Sequence, residues 1–168
     1  MKLRRLDLND APRMLEWMHD TDVTQYFRFD GKASTIQTVE KFIKESSLNQ
    51  AAQHYAVTTD NDKYMGTVSL KNIDLENKHA EYAISLHMDA IGKGYARFAT
   101  DNILKVAFNE LHLNKVYLNV LSINLRANRF YEKYGFVFEG EFKEHMIHNG
   151  RFENLRWYRM LASEFKNY

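Results

Sequence analysis

Residues 81–121 read EYAISLHMDAIGKGYARFATDNILKVAFNELHLNKVYLNVL, and this stretch decides the fold. It opens as a strand, Glu81 to Met88, turns at Gly92-Lys93-Gly94, and continues as a helix from Tyr95 to about Leu111. Ile103, Ala107 and Leu111 repeat at i, i+4, i+8, with Leu104 and Phe108 on the same face, which is the helical period. A second strand, Lys115 to Leu121, follows directly. Strand, glycine turn, helix and strand in succession make one βαβ crossover.

Outward from this unit the chain is just as regular. Upstream, strands His54–Thr58 and Lys63–Lys71 flank the turn Asp60-Asn61-Asp62. Before them a helix starts with the chain's single proline, Pro12, in its first turn and runs to about His19. A second helix spans Ser34 to about Asn49, with apolar contacts at Ile36, Val39, Phe42 and Ile43. The aromatic-rich Thr24-Gln25-Tyr26-Phe27-Arg28-Phe29 between them reads as a loop. Downstream, a short helix from Leu125 to Tyr134 is closed by Gly135, and two strands meet at Asn149-Gly150, the pair favoured in type I′ hairpins. The order β-α-α-β-β-β-α-β-α-β-β makes one α/β domain with a mixed sheet.

Composition excludes several function classes. The 168 residues suit a single domain, and 23 basic against 22 acidic residues leave no basic stripe for nucleic acid. There is no cysteine, so thiolate nucleophiles, disulfides and cysteine-held metals are excluded. The N-terminal residues Met1–Leu6 lack the apolar core of a signal peptide, and no stretch approaches the ~20 apolar residues of a membrane helix. A cytoplasmic protein is expected, without membrane or nucleic-acid partners.

Two segments carry chemistry. In Gly92-Lys93-Gly94-Tyr95-Ala96 the chain passes from strand to helix, where unpaired N–H groups and the helix dipole attract phosphate. Glycine admits positive φ and removes the Cβ that would block an anion. The segment is neither a Walker loop nor GxGxxG, since Arg97 stands at the third glycine position. Taken alone, the glycines serve a tight turn equally well. The other segment runs from Asn124 to Phe136. Asn124 is a natural N-cap, Gly135 a natural C-terminal stop, and Phe136 would touch Tyr131; capping alone accounts for all three.

Together the two segments resemble the GNAT superfamily of N-acetyltransferases, especially its ribosomal-protein (RimJ/RimL-like) and spermidine N-acetyltransferase branches. Gly94 and Ala96 match the family's (Q/R)-x-x-G-x-(G/A) turn, with Ile91 at the position usually held by Gln or Arg. Asn124, Ala127, Tyr131, Gly135 and Phe136 match its Asn-x-x-Ala-x-x-x-Tyr-x-x-x-Gly-Phe helix at every spaced position. The resemblance covers essentially the whole chain. It implies a single-domain GNAT-like fold, with a mixed central sheet of about seven strands and helices on both faces.

The resemblance also implies the chemistry. Acetyl-CoA is the co-substrate and no metal is needed. The pyrophosphate would lie on the backbone from Gly92 through Lys93, Gly94 and Tyr95 to Ala96, with Asn124 and Ala127 beside the cofactor. A backbone N–H of Leu86, His87 or Met88 would hold the acetyl carbonyl, and Tyr131 would protonate the departing thiolate. Without cysteine, direct transfer in a ternary complex is expected. The attacking amine must be neutral, which calls for a base. Glu81 is the candidate, against the plain alternative of a solvated or paired strand-end glutamate. His87 is read as structural, and strand alternation places it on the face opposite Glu81. His145 and His148, at i, i+3 on a strand, face apart and argue against a metal site.

The acceptor that the resemblance implies is a peptide N-terminus, a polyamine or an amino sugar. In the family it is held by the first two helices, their loop and the last hairpin, which supply Glu16, Trp17, Asp20, Asp22, Tyr26, Phe27, Phe29, Trp157 and Tyr158. About half of these aromatics are expected in the core. Two other readings stand: a non-catalytic CoA-binding regulatory module, and an interaction domain that uses the final strands, as in a homodimer.

Overall fold

A computed structural model describes residues 1–166. Seven strands form one sheet in the order β1-β2-β3-β4-β5-β7-β6. They are β1 Lys2–Arg5, β2 Gln53–Thr58, β3 Tyr64–Asp74, β4 His79–Leu86, β5 Lys115–Leu121, β6 Val137–His148 and β7 Arg151–Leu161. All neighbours are antiparallel except β4 and β5, the pair joined by the crossover. The helices are α1 Ala11–His19, the single turn α2 Thr21–Thr24, α3 Ile36–Ser46, α4 Tyr95–Lys105 and α5 Leu125–Tyr134.

The helices pack on both faces, as the element order requires. On one face α4 and α5 bury Ala99, Ile103, Leu104 and Tyr131 against Val68, Tyr82, Val116, Leu118 and Tyr158 of the sheet. On the other, α1 and α3 bury Met14, Trp17, Val39 and Ile43 over Ala56 and Tyr64. Each of the buried Val, Leu, Ile and Met side chains contributes roughly 1.5–3 kcal/mol by leaving water.

Local chemistry sets the element ends. Thr35 caps α3 by accepting from the Thr38 N–H at 3.3 Å, while Thr38 Oγ1 accepts from the Thr35 N–H at 3.0 Å. The reciprocal cap moves the start from the expected Ser34 to Ile36, and the helix closes at Ser46 rather than Asn49, where the Leu48 N–H turns back to Glu45 O. Phe42 is not a core residue: it lies 37% exposed, edge-on to His54. The long helix is α-helical only to Lys105 and then widens into a π turn, Val106–Glu110, with the Leu111 N–H bonded to Val106 O. At the Asn149-Gly150 corner both residues have positive φ, 49° and 75°, as a type I′ turn needs.

Candidate active site

The turn that precedes α4 is open backbone. Gly92 and Gly94 have φ of 75° and 84°, a conformation that side-chain-bearing residues rarely adopt. A Cβ built on Gly92 would meet nothing within 4 Å, and one on Gly94 would only graze the Met1 methyl at 4.0 Å. No side chain caps α4, whose first N–H groups therefore lack intrahelical partners. Lys93 is exposed beside them, whereas the Tyr95 side chain is buried, leaving its N–H as its contribution. The Lys93 N–H is turned back onto Ala90 O at 3.3 Å, so of this residue only the side chain can serve, against the expectation for its backbone. The remaining amides, one lysine and a helix start suit a phosphate group.

β4 and β5 pair for only three residues, His79–Lys115, Ala80–Val116 and Glu81–Tyr117, and then part. N–H groups along a strand alternate in direction. The His87 N–H donates to Met65 O on β3 at 2.9 Å, so Leu86 and Ile84 turn theirs the other way, into the gap. Of the three expected carbonyl-binding residues, His87 is thus committed to the sheet and Leu86 is free to serve. The strand also ends sooner than expected, at Leu86, because Met88–Ala90 wind into a 3-10 turn capped by His87 Nδ1 on the Asp89 N–H.

Across the gap stands α5. Asn124 caps it, accepting from the Ala127 N–H at 3.1 Å. At the other end Gly135 (φ 115°) and Phe136 both donate to Tyr131 O, at 3.1 and 3.0 Å, closing the helix in a Schellman turn. Tyr131 is 8% exposed, ringed by Tyr82, Phe130, Phe136 and Tyr158 at centroid distances of 5.4–6.2 Å. Burial pushes its phenol well above the usual tyrosine range, so it keeps its proton. Tyr134, three residues on, instead donates to Asp101 Oδ1 at 2.6 Å.

Strand alternation puts Glu81 on the opposite face from Tyr82, and hence from Tyr131. There Glu81 pairs with Lys71 at 3.1 Å and accepts from Asn72 at 2.9 Å. Tyr117, Asn119 and Trp157 continue this face. Arg28, from the loop between α2 and α3, reaches over it to the Asn119 amide oxygen. The expected acceptor residues do not gather into one cage. Trp17 is buried and bonded to the Tyr64 hydroxyl, and Tyr158 is buried between Asn128 and Glu132. Phe27 and Phe29 pack on Trp17, Tyr26 stacks on His148, and Asp20 caps α2. Trp157 lies between Tyr117 and Phe142, and His145 packs on Phe142, away from His148.

One group, Asn128, escaped the sequence reading, while His87 was read as structural and is so. Asn128 is buried and binds Leu121 O and Asn124 O at 3.0 and 2.8 Å, fixing the passage from β5 to α5. His87 is buried at the centre of a polar network. Its Nδ1 accepts from the Asp89 N–H at 3.1 Å and from Arg13 at 3.1 Å, so Nε2 carries the proton, toward Glu16 at 3.0 Å. Arg13 also binds Asp89 at 2.9 Å. This network clamps α1 to the turn leading into Gly92. Its one sequence signal is a histidine at a strand end.

An uncapped helix start beside a parted pair of parallel strands can hold a ligand with a phosphorylated handle. A family model, the acetyltransferase (GNAT) domain, matches residues 1–137. The spermidine N(1)-acetyltransferase of Vibrio cholerae is 27% identical over 99% of this chain and 96% of its own. A putative ribosomal N-acetyltransferase of Bacillus subtilis is 25% identical over 98% and 92%. The crystal structure of the Vibrio enzyme with CoA and spermine superposes with a TM-score of 0.88 at 27% identity, covering 97% of this chain and 96% of that one. The chain belongs to the GNAT acetyltransferase family. It is an N-acetyltransferase that moves an acetyl group from acetyl-CoA to an amine.

Proposed function

We propose that acetyl transfer takes place in the gap between β4 and β5, with a small-molecule primary amine entering from the Glu81 face and acetyl-CoA from the α4–α5 face. The observation that carries this reading is the parting of the strands just beyond Glu81, with Tyr131 and Glu81 on opposite sides of the sheet. The amides of Gly92, Gly94, Tyr95 and Ala96 bind the pyrophosphate beside the Lys93 ammonium, with Asn124 and Ala127 shaping the α5 side. The Leu86 N–H, aimed into the gap, stabilises the oxyanion as the amine nitrogen attacks the thioester carbon. Glu81 takes the amine proton, directly or through water. The C–S bond then breaks, and Tyr131 gives its proton to the thiolate and regains one from solvent. The Ile91 side chain adds no polar contact to the pyrophosphate, so the amides carry that binding.

The spermidine acetyltransferases among the relatives support a small-molecule amine as the acceptor. A supply of acetyl-CoA favours the cytoplasm as the place of action. The test is thiol release from acetyl-CoA against a panel of amines. Turnover with at least one is expected; clear CoA binding with no turnover on any would favour the regulatory module. A homodimer is supported by the edge position of β6 and by Val137, Phe138 and Phe152, which are exposed on the last hairpin. Sedimentation of the purified chain at twice its monomer mass is the expected result.

A further inference from the structure

Beside the gap, the loop that follows α2 and the tip of the β6–β7 hairpin enclose a cleft of about 600 Å³. Its lining includes Phe27, Arg28, Phe29, Lys32, Ile147 and His148. The charge of this cleft is unlike that of a polyamine site. Among the described residues neither Arg28 nor Lys32 has an ion-pair partner. The cleft's carboxylate, Asp30, accepts the Lys32 backbone N–H at 3.0 Å as a turn cap. Of the nearby acids, Glu16 is engaged with His87 and Arg13, Asp20 caps α2 and Glu81 pairs with Lys71. Among the described residues the Asp22 carboxylate on α2 has no side-chain partner, and it lies outside the cleft lining. A polyamine, whose amines are protonated at neutral pH, would bring like charge against two unpaired cations.

Arg28 also links the cleft to the reacting centre. Its guanidinium meets the Asn119 amide oxygen, and Asn119 lies on the face of β5 that carries Tyr117, the register partner of Glu81. A guanidinium held by a neutral amide keeps donors for an anion, and its planar fork fits phosphate or carboxylate.

We propose that the acceptor is a small amine bearing an anionic group, which Arg28 and Lys32 hold in this cleft while the amine reaches the gap between β4 and β5. The inference rests on acetyl transfer at that gap and adds the chemical class of the acceptor. Phe27 and Phe29 form the apolar wall, and the cations supply the selectivity.

The test is calorimetric titration of the full chain saturated with CoA, using matched amines. Glucosamine 6-phosphate against glucosamine forms the phosphate arm, and 4-aminobutanoate against butylamine the carboxylate arm; spermidine is the polycation. The anionic member of at least one pair should bind roughly 10-fold or more tightly than its partner, the scale of a charge-assisted contact. The arm that responds names the anion. Arg28→Gln and Lys32→Gln should each shrink the preference and together erase it, while Lys44→Gln on the exposed side of α3 keeps it. Neutral amines or spermidine binding as tightly as the anionic members in both arms would overturn the proposal, as would a preference that survives the double variant. Thiol release with acetyl-CoA separates the two readings. Selective binding without turnover sinks acetyl transfer and leaves the anion site standing. Turnover on spermidine alone does the reverse.

Discussion

The ring of Tyr131 meets the ring of Tyr82 edge-on, with centroids 6.0 Å apart and planes at 87°. Tyr82 is the first residue of β4 beyond its ladder with β5, and its hydroxyl shares a hydrogen bond with Thr100 of α4 at 2.9 Å. Thr100 in turn donates to Ala96 O at 2.7 Å, in the first turn of that helix. The turn before α4, the strand gap and α5 are therefore packed as one unit. Such packing holds groups in a fixed mutual geometry.

Acetyl-CoA should raise the melting temperature of the protein, because it binds the folded chain and not the unfolded one. Gly94→Val should abolish that shift. The space beside Gly94 is open in the protein, with only the Met1 methyl at 4.0 Å, so the valine side chain would stand where an anion approaches the backbone, and φ of 84° is strained for it at about 1–2 kcal/mol. Thermal scans with and without ligand give the answer. A full shift retained in Gly94→Val would place the pyrophosphate elsewhere.

His87 is expected to act through position. His87→Ala leaves Arg13, Glu16 and the Asp89 N–H without their buried partner, so stability should fall by about 1–3 kcal/mol in urea unfolding. The KM for acetyl-CoA should rise with it, because the clamp on the turn before Gly92 is released. A loss confined to kcat, with stability and KM unchanged, would instead mark His87 as a proton carrier.

Acid should act on the last hairpin. Lys143, then Arg156, hold the Glu141 carboxylate down at about 2, against an ordinary value of 4.5. The folded-state value is the lower, so the unfolded chain binds the proton more readily. The stabilisation is then complete above about 4.5 and is lost as pH falls toward 2. Glu141→Gln should flatten the fall in melting temperature across that window. A Gln variant as acid-sensitive as the parent would show that other carboxylates dominate.

Much of the fold was legible because capping residues mark its boundaries. β5 and α5 run over the expected residues, Lys115–Leu121 and Leu125–Tyr134, the latter between Asn124 and Gly135. The end of β4 was not legible, since the His87 side chain, and not a change of period, stops that strand. Phe42 fits the helical repeat, but periodicity reports direction and not depth, and Phe42 is left at the rim of the buried face. Trp17 and Tyr158 fail as acceptor residues for the same reason: an aromatic in a sequence does not say whether it lines a cleft or fills the core. The Arg13–His87 contact joins residues 74 apart and exists only once α1 lies on the sheet. The role assigned to Tyr131 came from resemblance, and the packing adds what resemblance lacked, a buried phenol at the gap.

The central claim is that the Tyr131 hydroxyl serves the chemistry of the gap and not merely the cap of α5. Steady-state turnover of Tyr131→Phe and Tyr134→Phe, with the best amine found, tests it directly. Tyr131→Phe keeps the ring against Tyr82 and Phe136, so its melting temperature and acetyl-CoA affinity should hold while kcat falls by roughly 10²–10⁴-fold. Tyr134→Phe loses the hydrogen bond to Asp101, about 1 kcal/mol of stability, and should keep its kcat. A Tyr131→Phe enzyme that turns over like the parent, or a loss of turnover in Tyr134→Phe alone, would contradict the assignment.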